Sequence, residues 1–149
     1  MSPPATIHGS AVLLGETGIL IRGASGSGKS TLLLDLLAAN PGGARLVADD
    51  RVIVTAVNGR ILADVPAAIA GLVEMRGVGL LSRPYVAPVV IRLVVDLAPP
   101  EACSRLPEAE EAETVLEGVL LPRLFLPVGV AGTWRMVHAA SGRFATGRG

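Results

Sequence analysis

Residues 23–30 have the composition and spacing of a loop that binds nucleotide phosphates. They read Gly-Ala-Ser-Gly-Ser-Gly-Lys-Ser, which fits the pattern G-x-x-x-x-G-K-[ST]. Backbone N–H groups in such a loop converge on the phosphates, and its glycines allow turns where a Cβ would clash. Lys29 would reach the β- and γ-phosphates, and the Ser30 hydroxyl would hold Mg²⁺. The pattern therefore predicts that the phosphates of a nucleotide such as ATP bind at this phosphate loop (P-loop) together with Mg²⁺, with contacts from Gly23, Ala24, Ser25, Gly26, Ser27, Gly28, Lys29, Ser30 and Thr31.

A chance match in a glycine-rich chain is the alternative explanation of this loop. At the average glycine usage of about 7%, such a match is expected in well under one in a hundred chains of this length. Lys29 is also the only lysine of the chain, and the other members of its 13 lysine and arginine residues are all arginine. The isolated lysine therefore favours a phosphate site over coincidence.

Two acidic residues, Asp49 and Asp50, follow the apolar run 46–48. In phosphate-loop enzymes, a carboxylate at the end of a neighbouring strand holds Mg²⁺ or its waters. Adjacent residues at a strand end point to opposite faces, so one aspartate could serve the metal while the other addresses a phosphoryl acceptor. The alternative is a pair of turn aspartates that only end the strand.

Regular elements must flank these residues to position them. Residues 17–22 are β-branched and leucine-rich, which predicts a buried strand before the loop. Residues 31–39 predict an apolar helix after it, ended by Asn-Pro-Gly-Gly at 40–43. A strand, a glycine loop and a helix N-terminus in this order form an anion site, because the helix dipole adds about half a positive charge there.

The rest of the chain predicts mainly strands. Asn58-Gly59 is a strong hairpin signal, and prolines at 122 and 127 favour edge strands in the apolar run 116–130. At the end of the chain we expect a terminal helix or strand at 134–140, followed by fraying from 141. The predicted strands are 6–14 (in a hairpin with 17–22), 44–48, 51–57, 60–65 and 89–97; the short helix is 66–71, the glycine-spaced segment 72–81, a loop 82–88, and an exposed helix or loop 108–113. This order indicates an α/β fold with a mixed β-sheet and few helices.

Composition limits the classes of function. The 149 residues suit one domain, and a net charge of zero gives no reason to expect binding to nucleic acid or to an anionic membrane. We see no apolar run that could span a bilayer and no signal peptide. Cys103 is the single cysteine, which fits a reducing compartment. We therefore expect a cytoplasmic protein, and the 50% apolar content favours a homo-oligomer.

Four motifs together resemble the catalytic C-terminal domain of the HPr kinase/phosphorylase family. They are His8-Gly9, the phosphate loop, Leu-Val-Ala-Asp-Asp-Arg-Val at 46–52, and Glu-Met-Arg-Gly-Val-Gly at 74–79. The resemblance runs from His8 to Val128 and implies a single catalytic domain over 1–149, without the family's usual N-terminal domain. It also implies a mixed sheet related to that of phosphoenolpyruvate carboxykinase, and phosphorylation of a serine on the phosphocarrier HPr or its nitrogen-system paralogue.

The resemblance also implies roles for individual residues in this transfer. Asp49 would accept the serine proton, and His8 would orient or tune Asp49. A histidine in a strand, taken alone, is more often a core or surface residue. Lys29 would clamp the phosphates, and the metal would be held by Ser30, Glu74 and Asp50.

Two arginines complete the implied catalytic set. Arg105, in Ser-Arg-Leu at 104–106, matches the family's catalytic arginine in Asp-Arg-Leu and would neutralise charge on the transferring phosphoryl group. Arg76 lies in the Glu-x-Arg-Gly-x-Gly signature and would support the same site. A surface salt bridge is the alternative role for Arg76.

One departure from the family concerns the reverse reaction. Longer members carry Pro-Val-Arg-Pro-Gly-Arg where this chain has Pro-Val-Gly-Val-Ala-Gly at 127–132. Attack of phosphate on phosphoserine, which yields pyrophosphate, needs positive charge to hold two anions, so we expect weakened phosphorolysis. Three functions stay open: this kinase, a nucleotide-binding regulatory module with little transfer, and a small-molecule kinase. Whether ATP or pyrophosphate is the preferred donor also stays open.

Overall fold

The structure, a computed structural model, describes residues 4–142. Within that range it contains eleven β-strands and two α-helices. The strands are β1 (Ala5–His8), β2 (Ser10–Leu14), β3 (Thr17–Arg22), β4 (Ala44–Ala48), β5 (Arg51–Val57), β6 (Arg60–Asp64), β7 (Leu72–Met75), β8 (Gly79–Ser82), β9 (Val89–Ala98), β10 (Glu113–Leu116) and β11 (Val119–Pro127). The helices are α1 (Lys29–Ala39) and α2 (Trp134–Ser141), with 3₁₀ turns at Ala67–Ile69 and Pro100–Ala102.

Nine strands form one mixed sheet. Its order is β1-β5-β6-β9-β3-β2-β4, with β11 beside β9 and β10 beside β11, while β7 and β8 form a separate hairpin. Strand β9 runs parallel to β3 and β11, and the other pairs of the sheet are antiparallel. The predicted mixed-sheet α/β fold with few helices is therefore confirmed.

Strand β9 is the centre of the sheet because it pairs with three strands. Its start pairs with β6, through Ile91 and Ile61, and its end pairs with β11. Strand β3 runs along its other side and approaches closely at Gly18, where a Cβ would lie 2.1 Å from the Val90 carbonyl oxygen. Only glycine fits at this contact, so Gly18 helps to set the position of the strand that leads into the phosphate loop.

The sheet is buried on both faces, as the apolar sequence of β3 requires. Ile19 and Ile21 pack on one face with Leu33 and Leu36 of α1. Leu20 points to the other face and joins a second buried cluster with residues of β5, β6 and β9. Helix α1 is thus fixed against the strand that precedes it, and the loop between them is held at both ends.

Several predicted boundaries differ from the structure. The segment 6–14 forms two strands, because the chain bends at Gly9, where a Cβ would lie 2.7 Å from the Ile21 carbonyl oxygen. Strand β1 pairs with β5, while β2 forms the predicted hairpin with β3. The short helix expected at 66–71 is a 3₁₀ turn, the segment 72–81 is the β7–β8 hairpin, and 108–113 consists mainly of turns.

The prediction of strands rather than a helix in 116–130 is confirmed by β11, but β11 is not a simple edge strand, since residues 119–122 pair with β10 and residues 123–127 pair with β9. This strand has β9 on one side and β10 on the other. It tolerates Pro122 because the ladder with β9 begins only at Arg123, and Pro127 is its last residue.

The segment 134–140 is helical, and the helix continues to Ser141, which was expected to fray. Ser141 is buried, and its carbonyl accepts a hydrogen bond from the Thr17 hydroxyl (3.1 Å). The rest of the predicted fraying, from residue 143, lies outside the described residues. No helix within 4–142 combines the length and the hydropathy needed to cross a bilayer.

Candidate active site

The phosphate loop and the aspartate pair meet at one edge of the sheet. Strands β3 and β4 both pair antiparallel with β2, so they run in the same direction and end at the same edge. The loop follows β3, and Asp49 and Asp50 follow β4. The topology therefore explains why sequence positions about twenty residues apart share one site.

The loop has the shape that its glycines predict. Gly26 and Gly28 have φ values of 78° and 99°, in the region that favours glycine. Helix α1 begins at Lys29 rather than at Thr31, and it has no side-chain cap and no acidic residue in its first turn. The first N–H groups of α1 are therefore not occupied by a capping side chain, as an anion site requires.

Lys29 is held inside the loop. Only 7% of its surface is exposed, and its Nζ donates to the carbonyl oxygens of Gly23 (3.0 Å) and Ala24 (2.9 Å). No carboxylate within residues 4–142 pairs with it. A buried ammonium group without an anionic partner is costly, so the residues present fit a phosphate ligand beside Lys29.

Asp49 forms the buried half of the aspartate pair. It is 4% exposed, and the Ser30 hydroxyl lies 2.9 and 2.8 Å from its Oδ1 and Oδ2. The Ser10 hydroxyl donates to Oδ1 at 2.6 Å. A hydroxyl and a carboxylate are oxygen donors of the kind that Mg²⁺ prefers, so Ser30 and Asp49 are residues that would hold such an ion beside the phosphate loop. The sequence analysis missed Ser10, whose only signal is a serine within an otherwise apolar strand.

Asp50 forms the exposed half and contacts His8. Its backbone is left-handed (φ 71°), and its Oδ1 lies 3.2 Å from His8 Nε2, with 68% and 43% of the two side chains exposed. The Gly9 N–H donates to the Asp50 carbonyl (3.1 Å), which ties the end of β1 to this residue. The structure thus places His8 in contact with Asp50, whereas the family resemblance implied that His8 would orient or tune Asp49.

One cavity of about 350 Å³, here called the main cavity, collects most of the predicted residues. Glu74 and Arg76 reach it from the β7–β8 hairpin, and His8 reaches it from the end of β1. Asp35 of α1 also lines it and was not predicted. The predicted residues in its lining are His8, Ser25, Gly26, Gly28, Lys29, Ser30, Thr31, Asp49, Asp50, Glu74 and Arg76.

Two parts of the predicted set do not form as expected. Arg105 does not line the main cavity; it is exposed in the segment before β10, where the neighbouring Ser104 hydroxyl donates to Glu111 (2.8 Å). The three-residue match was too short to place it. Within residues 4–142, no three His, Cys, Asp or Glu side chains cluster as a metal centre, so Asp50 and Glu74 do not form a ready carboxylate cluster around Ser30.

A second cavity, of about 420 Å³, lies between the phosphate loop and the segment 127–133. Ser27 and Thr31 line it from the loop and α1, and Asp35 is its only charged lining residue among those described. Residues 127–132, which the family resemblance associates with phosphorolysis, therefore lie against the phosphate loop. None of the described lining residues is basic.

The sequence matches the family model described as "HPr Serine kinase C-terminal domain" over residues 1–141. It is 34% identical over 139 residues to the HPr kinase/phosphorylase of Limosilactobacillus reuteri, covering 86% of this chain and 42% of that protein. It is also 35% identical over 139 residues to the HPr kinase/phosphorylase of Geobacillus thermodenitrificans, covering 86% of this chain and 44% of that protein. The chain thus spans less than half the length of these relatives.

The fold resembles a solved structure, the HPr(Ser) kinase/phosphatase from Coxiella burnetii. The TM-score is 0.79 at 21% sequence identity, with 95% of this chain and 97% of that chain covered. At this identity the similarity concerns the fold, and it agrees with the mixed sheet described above.

Proposed function

Because the chain belongs to the HPr serine kinase C-terminal domain family, we propose that it transfers the γ-phosphoryl group of ATP to a serine of HPr or of its nitrogen-system paralogue. The observation that carries this proposal is that the two aspartates contact different side chains in one cavity. Asp49 contacts Ser30, and Asp50 contacts His8. One pair suits the metal and phosphate side of the reaction, and the other suits the acceptor side.

The Ser30–Asp49 pair is assigned to the metal. Both oxygens of Asp49 are already within hydrogen-bond distance of serine hydroxyls, and the side chain is nearly buried. Mg²⁺ held by Ser30 and Asp49, with Glu74 at the cavity wall, would supply positive charge to the phosphate oxygens. Lys29 would leave the carbonyls of its own loop and bind the phosphates in their place.

The His8–Asp50 pair is assigned to the proton. An exposed carboxylate can receive a hydroxyl from a bulky protein substrate, whereas Asp49 is covered. Asp50 would accept the serine proton as the oxygen–phosphorus bond forms, and it would return that proton in the reverse direction. His8, in contact with Asp50 Oδ1, would hold the carboxylate in position. This assignment exchanges the roles that the sequence resemblance implied for Asp49 and Asp50.

Arg76 is the candidate for stabilising charge on the transferring group. It lines the main cavity, and no carboxylate among the described residues pairs with it. A guanidinium group at this wall would face negative charge that develops during transfer. Arg105 lies outside the cavity and is not part of this proposal.

The second cavity supports the prediction of weakened phosphorolysis. Inorganic phosphate is an anion, and the one charged group among the described lining residues is Asp35. A site without cations does not favour an anionic nucleophile beside a phosphorylated protein. We therefore propose that the kinase direction dominates. A cytoplasmic location and a homo-oligomeric state stay predictions, supported only by composition.

The test is transfer of label from γ-labelled ATP to purified HPr and, separately, to its paralogue. The proposal expects label that depends on Mg²⁺ and maps to one serine. ATP binding without any labelled product would favour a regulatory module instead. Label on a metabolite and none on protein would favour a small-molecule kinase.

A further inference from the structure

A third concave surface, which we call the apolar groove, lies between α1, β4 and the segment 83–85. It has a volume of about 560 Å³, within the range of about 300–1,000 Å³ that is usual for ligand sites. Leu34 and Leu37 of α1 and Leu46 of β4 give it an apolar lining. Tyr85, which is 50% exposed, also lines the groove, and its backbone forms an isolated parallel β-bridge with Leu46.

The charged side chains of the apolar groove have one sign. Arg45 and Arg83 line it, and no acidic residue is among its described lining. No carboxylate within residues 4–142 forms a salt bridge with either arginine. Within residues 4–142, the guanidinium group of Arg83 donates only to the carbonyl of the adjacent Ser82 (2.9 Å). Two exposed guanidinium groups beside apolar side chains complement a carboxylate that sits next to an apolar residue.

The apolar groove adjoins the main cavity. Leu34 lines both. Along α1, Leu34 lies about 6 Å from Ser30 and Ala38 lies about 12 Å from it, at 1.5 Å per residue. A molecule that contacts Ser30 must therefore extend about 6–12 Å along α1 to fill the groove, which suits a protein acceptor better than a small one.

We propose that the apolar groove binds the acceptor protein at the surface that flanks its phosphorylated serine. The bound surface would present a carboxylate to Arg45 and Arg83 and an apolar side chain to Tyr85 and the leucines. This inference rests on the proposed function and adds a docking site to it. The groove would then select the protein substrate, while the main cavity performs the transfer.

The experiment compares steady-state kinetics of the wild-type chain, the double variant Arg45→Ala/Arg83→Ala, and Tyr85→Ala, with HPr and its paralogue as acceptors. We expect the double variant to raise the KM for the preferred acceptor about tenfold or more, with kcat and the KM for ATP unchanged. The KM of the wild type should rise with ionic strength, and that of the double variant should rise less. Tyr85→Ala should raise the acceptor KM without changing the salt dependence.

Arg60→Ala is the matched control, because Arg60 is also exposed and lies at the far end of the β5–β6 hairpin from Asp50. It should leave every constant unchanged. If the wild type labels the acceptor and the double variant has the same acceptor KM, the docking inference is wrong and the kinase proposal stands. A raised KM for ATP instead would also overturn it, because the groove would then serve the nucleotide. Absence of any transfer by the wild type overturns the proposed function and, with it, this inference.

Discussion

Two neighbouring aspartates have different chemistry here because their backbones differ. Asp49 continues from β4 and turns inward to Ser10 and Ser30. Asp50 takes a left-handed conformation (φ 71°), which is uncommon for a residue with a side chain and is best tolerated by Asn and Asp. The reversal turns its carboxylate outward to His8. The left-handed backbone of Asp50 thus separates a buried carboxylate from an exposed one.

Substitution of each aspartate by asparagine tests this separation. We expect Asp50→Asn to lower kcat by about 10²–10⁴-fold, because it removes the proton acceptor, while the affinity for Mg²⁺–ATP is retained. Asp49→Asn should instead weaken the Mg²⁺ dependence of nucleotide binding. Steady-state kinetics and Mg²⁺ titrations with ATP would measure both. Asp64→Asn is the control, because asparagine keeps the oxygen that accepts the Val65 N–H. Full activity of Asp50→Asn would contradict the assignment.

Lys29 permits a prediction about stability as well as binding. In Lys29→Met the phosphate contact is lost, so we expect ATP no longer to raise the melting temperature, as it should for the wild type. We also expect the melting temperature without ATP to be equal or higher, because a buried ammonium group is replaced by an apolar side chain. Thermal scans with and without ATP would check this. A variant that is clearly less stable would show that the loop needs the bonds from Nζ to Gly23 and Ala24.

At the scale of elements, a charged network lies directly before the phosphate loop. Arg22, the last residue of β3, binds Asp96 of β9 through two bonds of 2.8 Å, and Arg123 of β11 lies 3.6 Å from the same carboxylate. These three strands are the parallel part of the sheet. The Asp96 carboxylate of β9 therefore joins β3, the strand that leads into the loop, to β11, the other strand that runs parallel to β9.

Removal of that charge should destabilise the fold. The Asp96 side chain is 16% exposed, and breaking a largely buried ion pair leaves its partners without compensation. We expect Asp96→Asn to lower the free energy of unfolding by about 2–3 kcal/mol, below the range for fully buried pairs. Urea denaturation would measure it. Glu113→Gln, at an exposed position of β10, should change stability by less than about 0.5 kcal/mol, and an equal effect of both would contradict the prediction.

The turn before β10 should respond to acid. The backbone N–H of Glu108 and then the Ser104 hydroxyl hold the pKa of the Glu111 carboxyl below its ordinary value. A carboxyl whose pKa is lower in the folded chain stabilises the turn above its ordinary pKa, about 4.3, and loses this effect as the pH falls through the lowered value. We expect faster exchange of the Glu108 amide below that window, after correction for intrinsic rates. In Glu111→Gln this additional pH dependence should be absent, and its persistence would contradict the prediction.

Local signals predicted the elements that they contain. Asn58 and Gly59 take positive φ values (51° and 76°) and form the expected β5–β6 hairpin. The backbone of the phosphate loop also followed from a local signal, because the glycines at 26 and 28 take the positive φ values that the loop pattern predicts. The missed features depend on distant contacts: the separation of β1 from β2 follows from the close approach of Gly9 to Ile21, and the parallel pairing of β11 with β9 joins residues about thirty positions apart. Arg105 was misplaced because nothing local fixes where an exposed loop lies.

At the scale of the whole molecule, the phosphate loop separates two cavities of different charge. The main cavity contains Lys29, Arg76 and His8 together with the acidic residues, whereas Asp35 is the only charged residue among the described lining of the second. In the proposed reaction, the main cavity would hold the nucleotide's phosphates and the serine that accepts the phosphoryl group. A free anion such as inorganic phosphate would be favoured in the second cavity only if the lining had a cation, and the proposed dominance of the kinase direction rests on this difference.

A restored arginine should therefore increase phosphorolysis, but only at a position where the backbone accepts it. In the family resemblance, the two arginines of the longer members correspond to Gly129 and Gly132, which have φ values of 80° and 79°. A side chain in that region costs about 1–2 kcal/mol, so Gly129→Arg should lower stability along with any gain in charge.

Val130 lines the second cavity, is 51% exposed and lacks a positive φ. We expect Val130→Arg to release pyrophosphate from phosphoserine-HPr and phosphate several-fold faster, with the kinase rate unchanged, and Val130→Gln to have no effect. Pyrophosphate release that is already fast in the wild type, or equal increases in both variants, would show that charge in this cavity does not limit the reverse reaction.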